Sequence, residues 1–167
     1  MSEQMIKKVL ITGANGFIGG SLMRYYQNQG QDVVGVDLVG NGNDIIEGDI
    51  AQPDSISHVL QECDAIIHTA ALVSNAMQDS DMWRVNVLAT RNLIEAAKEH
   101  KVRRFVQISS VVAYGNSAEG ELDESQPVHA DGGSYVLTKL ASEHVVLGAQ
   151  ANDDIEVVIL RPGDAYG

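Results

Sequence analysis

At 167 residues the chain has the length of one domain and can bury a substantial core. Its formal charge of −12 argues against nucleic acid, whose phosphates call for clustered Lys and Arg; 44% hydrophobic and 20% charged content is that of an ordinary globular protein. The single cysteine, Cys63, excludes an intrachain disulfide, and with no signal-peptide pattern in MSEQMIKKVL and no membrane-length apolar window, a reducing, cytoplasmic setting is expected.

Residues 8–13, KVLITG, read as a first strand, and 17–30 as a helix ended by Gly30. Strands follow at 32–37 and 44–50, separated by a Gly/Asn turn at 40–43. Pro53 opens a helix over 53–62, at the first-turn position where proline is accepted. Strands at 64–70, 104–110 and 155–161 alternate with helices at 81–100 and 134–150. Cys63 falls at a helix-to-strand junction and reads as a small buried residue rather than a nucleophile. Strands apolar on both faces and separated by helices predict an α/β fold, a doubly wound parallel sheet of about six strands with helices on both faces. Residues 115–133 form one long irregular segment, the kind that serves as a lid or mobile element.

Gly13, Gly16 and Gly19 lie between the first strand and the first helix, with spacing G-x-x-G-x-x-G. A glycine triplet alone is weak evidence, but here the strand before and the helix after are in place. The expected roles are a tight turn at Gly13, close backbone approach to a pyrophosphate at Gly16 and helix-to-strand packing at Gly19, with the helix N-terminus facing the phosphates. Asp37, 18 residues after Gly19, suits the ribose hydroxyls and would repel a 2′-phosphate. No Lys or Arg occurs between Arg24 and Arg84 to relieve that repulsion, so NAD is expected over NADP. Asp49 and Ile50 of GDI are placed for the adenine edge, although a turn or capping role competes for Asp49.

Tyr135 and Lys139 share a helix face at i and i+4. A phenol near pKa ~10 is a poor base at neutral pH. A neighbouring ammonium favours its phenolate and fits it to exchange a proton with a substrate hydroxyl during hydride transfer. Surface Tyr/Lys pairs at this spacing are common, so the assignment depends on the rest of the chain. Ser109 and Ser110 close the fifth strand at the carboxyl edge, where ligands bind in open α/β sheets.

Taken together, TGANGFIG, GDI, HTAA, NV.AT.NL..AA, SSVVAYG, Y..TK..SE and LRPGDAYG resemble, in order and spacing, the cofactor-binding Rossmann domain of the extended short-chain dehydrogenase/reductases, the NAD-dependent epimerase/dehydratase family. The resemblance implies Tyr135 as acid/base, Lys139 as its modulator and Ser110 as partner of the substrate oxygen. It implies a cofactor-binding set that adds Asn15, Phe17, Ile18, Thr69, Ala70, Ala71, Asn86, Ser109 and Pro162. His68 reads as a core histidine. The other histidines, 58, 100, 129 and 144, lack metal-ligand spacing, and no metal is expected.

Departures from the family pattern narrow the activity. Sugar-nucleotide dehydratases carry an Asp-Glu pair where this chain has Val111 and Val112. UDP-galactose epimerases carry a lysine where it has Val73. HTAALVS is more similar to hydroxysteroid-dehydrogenase and dihydroflavonol-reductase relatives, and Pro162 and Asp164 replace an aromatic residue and an asparagine common in sugar-modifying members. The expected function is an NAD-dependent oxidoreductase acting on a sugar nucleotide, a steroid-like molecule or another secondary alcohol. An epimerase that retains NAD is the alternative, and a non-catalytic NAD-binding module a further one. Members of the family continue past the last motif into a substrate domain, so residues 1–167 are expected to be the Rossmann core with little activity of its own. Helix 81–100 presents Met82, Val85, Ala89, Leu93 and Ala96 on one face and Val87, Ile94 and Ala97 nearer another, which permits the homodimer that the resemblance implies.

Overall fold

The computed structural model describes residues 5–73, 78–115, 121–151 and 155–166. Six strands, β1 (Lys8–Thr12), β2 (Asp32–Asp37), β3 (Ile45–Glu47), β4 (Ala65–His68), β5 (Arg104–Ile108) and β6 (Glu156–Leu160), form one sheet in the order β3-β2-β1-β4-β5-β6. Every pairing is parallel. The order reverses between β1 and β4, so a crevice opens above their carboxyl ends.

Helices cover both faces: α1 (Phe17–Asn28), α2 (Ser57–Leu60), α3 (Asp79–Met82), α4 (Thr90–Glu99) and α5 (Ser134–Gln150). Period-2 alternation divides the strand side chains between two cores. Leu10, Ile66 and Phe105 point to one, where they meet Leu93, Ile94 and Val146 of α4 and α5. Val9, Ile11 and Ile67 point to the other, against Met23 of α1. Cys63 is buried in the larger core, and burial pushes its thiol up to about 12, which leaves it unreactive.

Several predicted boundaries shift. The third strand is only Ile45–Glu47, and beyond it Gly48 N–H donates to the Asp37 carbonyl at 2.8 Å, the last bond before the chain turns away. Pro53–Ile56 is a 3-10 turn that leads into α2. The predicted helix 81–100 begins at Asp79 and contains a π-helical stretch, Trp83–Ala89, before α4. The wider π turn changes the phase of the apolar pattern. Ile94 and Ala97, expected on a second face, share the core with Leu93 and Ala89, because positions i, i+1 and i+4 of α4 lie on one broad face, while Trp83 and Leu88 are exposed. Ser109 and Ser110 lie just beyond β5, and Ser110 caps a 3-10 turn, Val111–Tyr114. Of the long segment 115–133, residues 116–120 lie outside the described residues; the returning chain is tied beside the turn by His129 N–H to the Ala113 carbonyl at 2.9 Å.

Candidate active site

The glycine loop is built on close backbone approach. Gly13 has φ +68°, favourable only for glycine, and a Cβ there would lie 2.8 Å from the Ala70 backbone. A Cβ on Gly19 would lie 2.1 Å from the Gly13 carbonyl oxygen. Behind the loop, Thr69 Oγ1 donates to the Thr12 carbonyl at 2.7 Å, so Thr69 and Ala70 buttress the turn. Helix α1 starts at Gly16 with no side-chain cap and no carboxylate in its first turn. Its leading N–H groups and positive dipole end thus remain available to phosphate oxygens, beside Phe17 and Ile18 of that turn. These features fit a dinucleotide pyrophosphate.

At the end of β2, Asp37 accepts from Asn15 N–H at 2.8 Å and from Leu38 N–H at 2.8 Å, one bond to each carboxylate oxygen. A carboxylate oxygen has two lone pairs, so each keeps one for a ribose hydroxyl. Asn15 also donates to the Val39 carbonyl at 2.7 Å, which joins the loop to β2. Contrary to the expectation from the sequence, a cation stands near this end. Arg24, two turns along α1, lines a cavity of about 290 Å³ beside the loop with Asn15, Gly16, Asn41 and Asp44. Asp49 serves the turn after β3, accepting from Ala51 N–H at 2.9 Å, and Ile50 is part of the core.

Across the crevice, α5 places Tyr135 in its first turn and Lys139 in the next. Tyr135 stands near the Ser110 side chain, and burial holds its hydroxyl above the usual tyrosine range, the neighbouring Ser110 hydroxyl working against that rise. Lys139 is buried, and its Nζ donates to the Ile108 carbonyl at the end of β5 at 2.6 Å. Burial pulls its pKa down to about 8, opposed by Glu143; at neutral pH it still carries most of its charge. The expected lowering of the phenol by the ammonium is not seen in the protein alone. Burial is the larger influence on the phenol, Lys139 is not among the groups that shift it, and the ammonium is engaged with a backbone oxygen.

Asn86, expected to reach the cofactor region, is instead buried and committed to the protein. It is bonded to both backbone groups of Leu72 and to Thr138 Oγ1. Ala71 is half-buried in the loop that this amide fixes. The Ser109 hydroxyl is held by the Glu143 carboxylate, and the Pro162 carbonyl accepts from Val111 N–H at 3.0 Å. His68 is fully enclosed, between Thr12 Oγ1 at 2.7 Å and Thr90 Oγ1 at 2.9 Å.

Sequence reasoning missed Glu143 and Arg161, which form an ion pair at 2.8 Å, the carboxylate buried and the guanidinium partly exposed, behind Ser109. The available signal was the stripe Tyr135, Lys139, Glu143, with each residue four positions after the last. Among the described residues no group of His, Cys, Asp and Glu is arranged to hold a metal, and no helix is long and apolar enough to cross a membrane.

A family model described as the NAD dependent epimerase/dehydratase family matches residues 9–167. The chain is 31% identical to a dTDP-glucose 4,6-dehydratase of Streptomyces niveus, over 96% of this chain and 54% of that protein. It is likewise 31% identical to a putative dihydroflavonol 4-reductase of Synechocystis, over 94% of this chain and 49% of that protein. Its fold superposes on the UDP-glucuronic acid 4-epimerase of Bacillus cereus in complex with NAD with a TM-score of 0.84, at 31% identity, over 96% of this chain and 58% of that one. The chain thus spans about half the length of the curated relatives it matches.

Proposed function

The chain belongs to the NAD-dependent epimerase/dehydratase family, and we propose that it serves an NAD-dependent oxidoreductase acting at a secondary alcohol or ketone carbon. NAD accepts or returns the hydride, and the residues of this chain bind, orient and move the proton. The α1 N-terminus and the glycine loop hold the pyrophosphate, Asp37 the adenosine ribose and Lys139 the nicotinamide ribose. Tyr135, once ionised to the phenolate that Lys139 and the positive nicotinamide ring would favour, takes the proton of the substrate hydroxyl as its carbon is oxidised and returns it in reverse, while Ser110 holds the same oxygen.

The observation that carries this reading is the meeting of the first turn of α5, with Tyr135, and the Ser110 cap that follows β5 at the carboxyl edge of the sheet, with Lys139 Nζ bonded to the Ile108 carbonyl between them. A Tyr135→Phe variant of the whole protein tests it through NADH absorbance with substrate. Turnover is expected to fall roughly 100-fold or more, with NAD affinity kept within about threefold, because the substitution removes only one hydroxyl. Unchanged turnover would end the assignment.

Val111 and Val112, in the turn after Ser110, bring no second proton carrier, which supports oxidation or reduction over dehydration. The likeness to a 4-epimerase bound to NAD favours one second reading, epimerisation with NAD retained; inversion at carbon without net NADH would distinguish it. In either reading the substrate is a sugar nucleotide, a steroid-like molecule or another secondary alcohol. The exposed Trp83, Leu88, Leu137 and Leu147 support a homodimer through the π-helical stretch and α5, to be checked by light scattering. The single buried thiol, Cys63, supports the cytoplasm as its setting.

A further inference from the structure

Glu143 lies one turn beyond Lys139 on α5 and is only 2% exposed. A carboxylate that deep needs compensation at each oxygen. Its Oε1 accepts from the Ser109 hydroxyl and from Arg161 Nε at 3.0 Å, and its Oε2 from Arg161 Nη2 at 2.8 Å. The third arm of the same guanidinium, Nη1, donates to the Tyr114 hydroxyl at 3.0 Å, and its carbon sits 4.9 Å from the centre of the Tyr114 ring. Four elements therefore meet at one ion pair: α5, the ends of β5 and β6, and the 3-10 turn.

The two residues gripped have a particular place in the chain. Ser109 immediately precedes Ser110, and Tyr114 ends the turn that Ser110 caps. Backbone bonds reinforce the grip: Ser109 N–H donates to the Leu160 carbonyl at 2.7 Å and Val111 N–H to the Pro162 carbonyl at 3.0 Å. Buried ion pairs add little net stability compared with apolar side chains of equal volume, but their bonds fix direction at named atoms. We propose that Glu143 and Arg161 are positioning residues whose ion pair clamps Ser109 and Tyr114 and thereby fixes Ser110, which the chain places between them, on the side of the crevice that Tyr135 faces. The functional consequence rests on the reading of Tyr135 and Ser110 as the proton-handling pair; the geometric claim does not.

The test is the Cζ resonance of Tyr135 in protein labelled with 13C at the tyrosine ring, recorded at neutral pH and assigned by its absence in Tyr135→Phe. Ser110→Ala defines the displacement caused by losing the Ser110 hydroxyl beside Tyr135. Glu143→Gln, which removes the charge, and Arg161→Lys, which cannot make the planar fork, are each expected to displace the resonance in the same direction by about half as much or more. Val146→Ala, a core truncation on the same helix, lowers the melting temperature and is expected to leave the resonance in place. Should Glu143→Gln fail to fold, Arg161→Lys and Ser109→Ala read the same geometry. An unmoved resonance in the ion-pair variants, while Ser110→Ala displaces it, overturns the proposal. An equal displacement in Val146→Ala, a sign of general loosening, overturns it as well. A resonance that Ser110→Ala does not move shows that Ser110 does not act on Tyr135 and overturns both the proposal and the functional reading.

Discussion

Asn86 and Leu72 exchange two hydrogen bonds: Leu72 N–H donates to Asn86 Oδ1 at 2.7 Å, and Asn86 Nδ2 donates to the Leu72 carbonyl at 3.0 Å. The same amide nitrogen also donates to Thr138 Oγ1 at 3.1 Å, and that hydroxyl donates to the Tyr135 carbonyl at 3.0 Å. One side chain thus joins the loop after β4 to the first turn of α5. Asn86→Leu fills the space but leaves both Leu72 groups unpaired, at about 1–3 kcal/mol each. Urea denaturation is expected to show a loss of about 2–4 kcal/mol; a loss below about 0.5 kcal/mol, the scale of an ordinary surface change, would show the amide to be dispensable.

Gly19→Ala forces a methyl group to 2.1 Å from the Gly13 carbonyl oxygen, and backbone must move to admit it. NAD affinity by calorimetry is expected to fall at least about tenfold, or 1.4 kcal/mol, because the displaced loop is the one that approaches the pyrophosphate. Gly20→Ala is the control. Its Cβ would meet the Ala14 carbonyl oxygen at 3.3 Å, and affinity should stay within about threefold.

Discrimination between NAD and NADP should follow Asp37. Its carboxylate is fixed by Asn15 N–H at 2.8 Å, where a 2′-phosphate would face a like charge. Asp37→Ala removes that repulsion and leaves Arg24 at the adjacent cavity. The ratio of NAD to NADP affinity is expected to drop about tenfold or more. An unchanged ratio would mean that another group selects the cofactor.

His68 makes stability depend on pH. The Thr90 hydroxyl donates to the Asn86 carbonyl at 2.8 Å, so it accepts from His68 Nε2–H, and Nδ1 accepts from the Thr12 hydroxyl. The neutral ring is fully used and has no partner for a second proton. Burial, with the Lys139 charge as a smaller cause, lowers its pKa to about 3. The unfolded chain binds a proton below about 6.5 while the folded chain does not. Stability attributable to His68 is therefore intact above that pH and falls as pH drops toward about 3. Between pH ~7.5 and ~5 the parent should lose about 2 kcal/mol more than His68→Gln. Equal losses would show that the ring is protonated in place.

Spacing within one element was legible because it is set over three or four residues. The apolar runs placed all six strands, Gly13, Gly16 and Gly19 placed the loop, and the i, i+4 interval put Tyr135 and Lys139 on one face of α5. Even the core role of His68 could be read from its apolar neighbours in β4. The π turn at Trp83–Ala89 could not, since nothing in the local pattern marks a change of helical pitch that tertiary packing imposes.

The partners of individual polar groups were decided only in three dimensions. Whether Asn86 meets a cofactor or Leu72, whether the Lys139 ammonium meets a phenol or the Ile108 carbonyl, and whether Arg24 stands near the loop all depend on how α1, the π turn and α5 settle on the sheet. Glu143 and Arg161 are 18 residues apart in the chain and on different elements, and no periodicity connects them. Hydrophobic pattern fixes which face of an element is buried; the directional bonds beneath that face are chosen by contacts between segments, and those exist only once the sheet and its helices have closed around them.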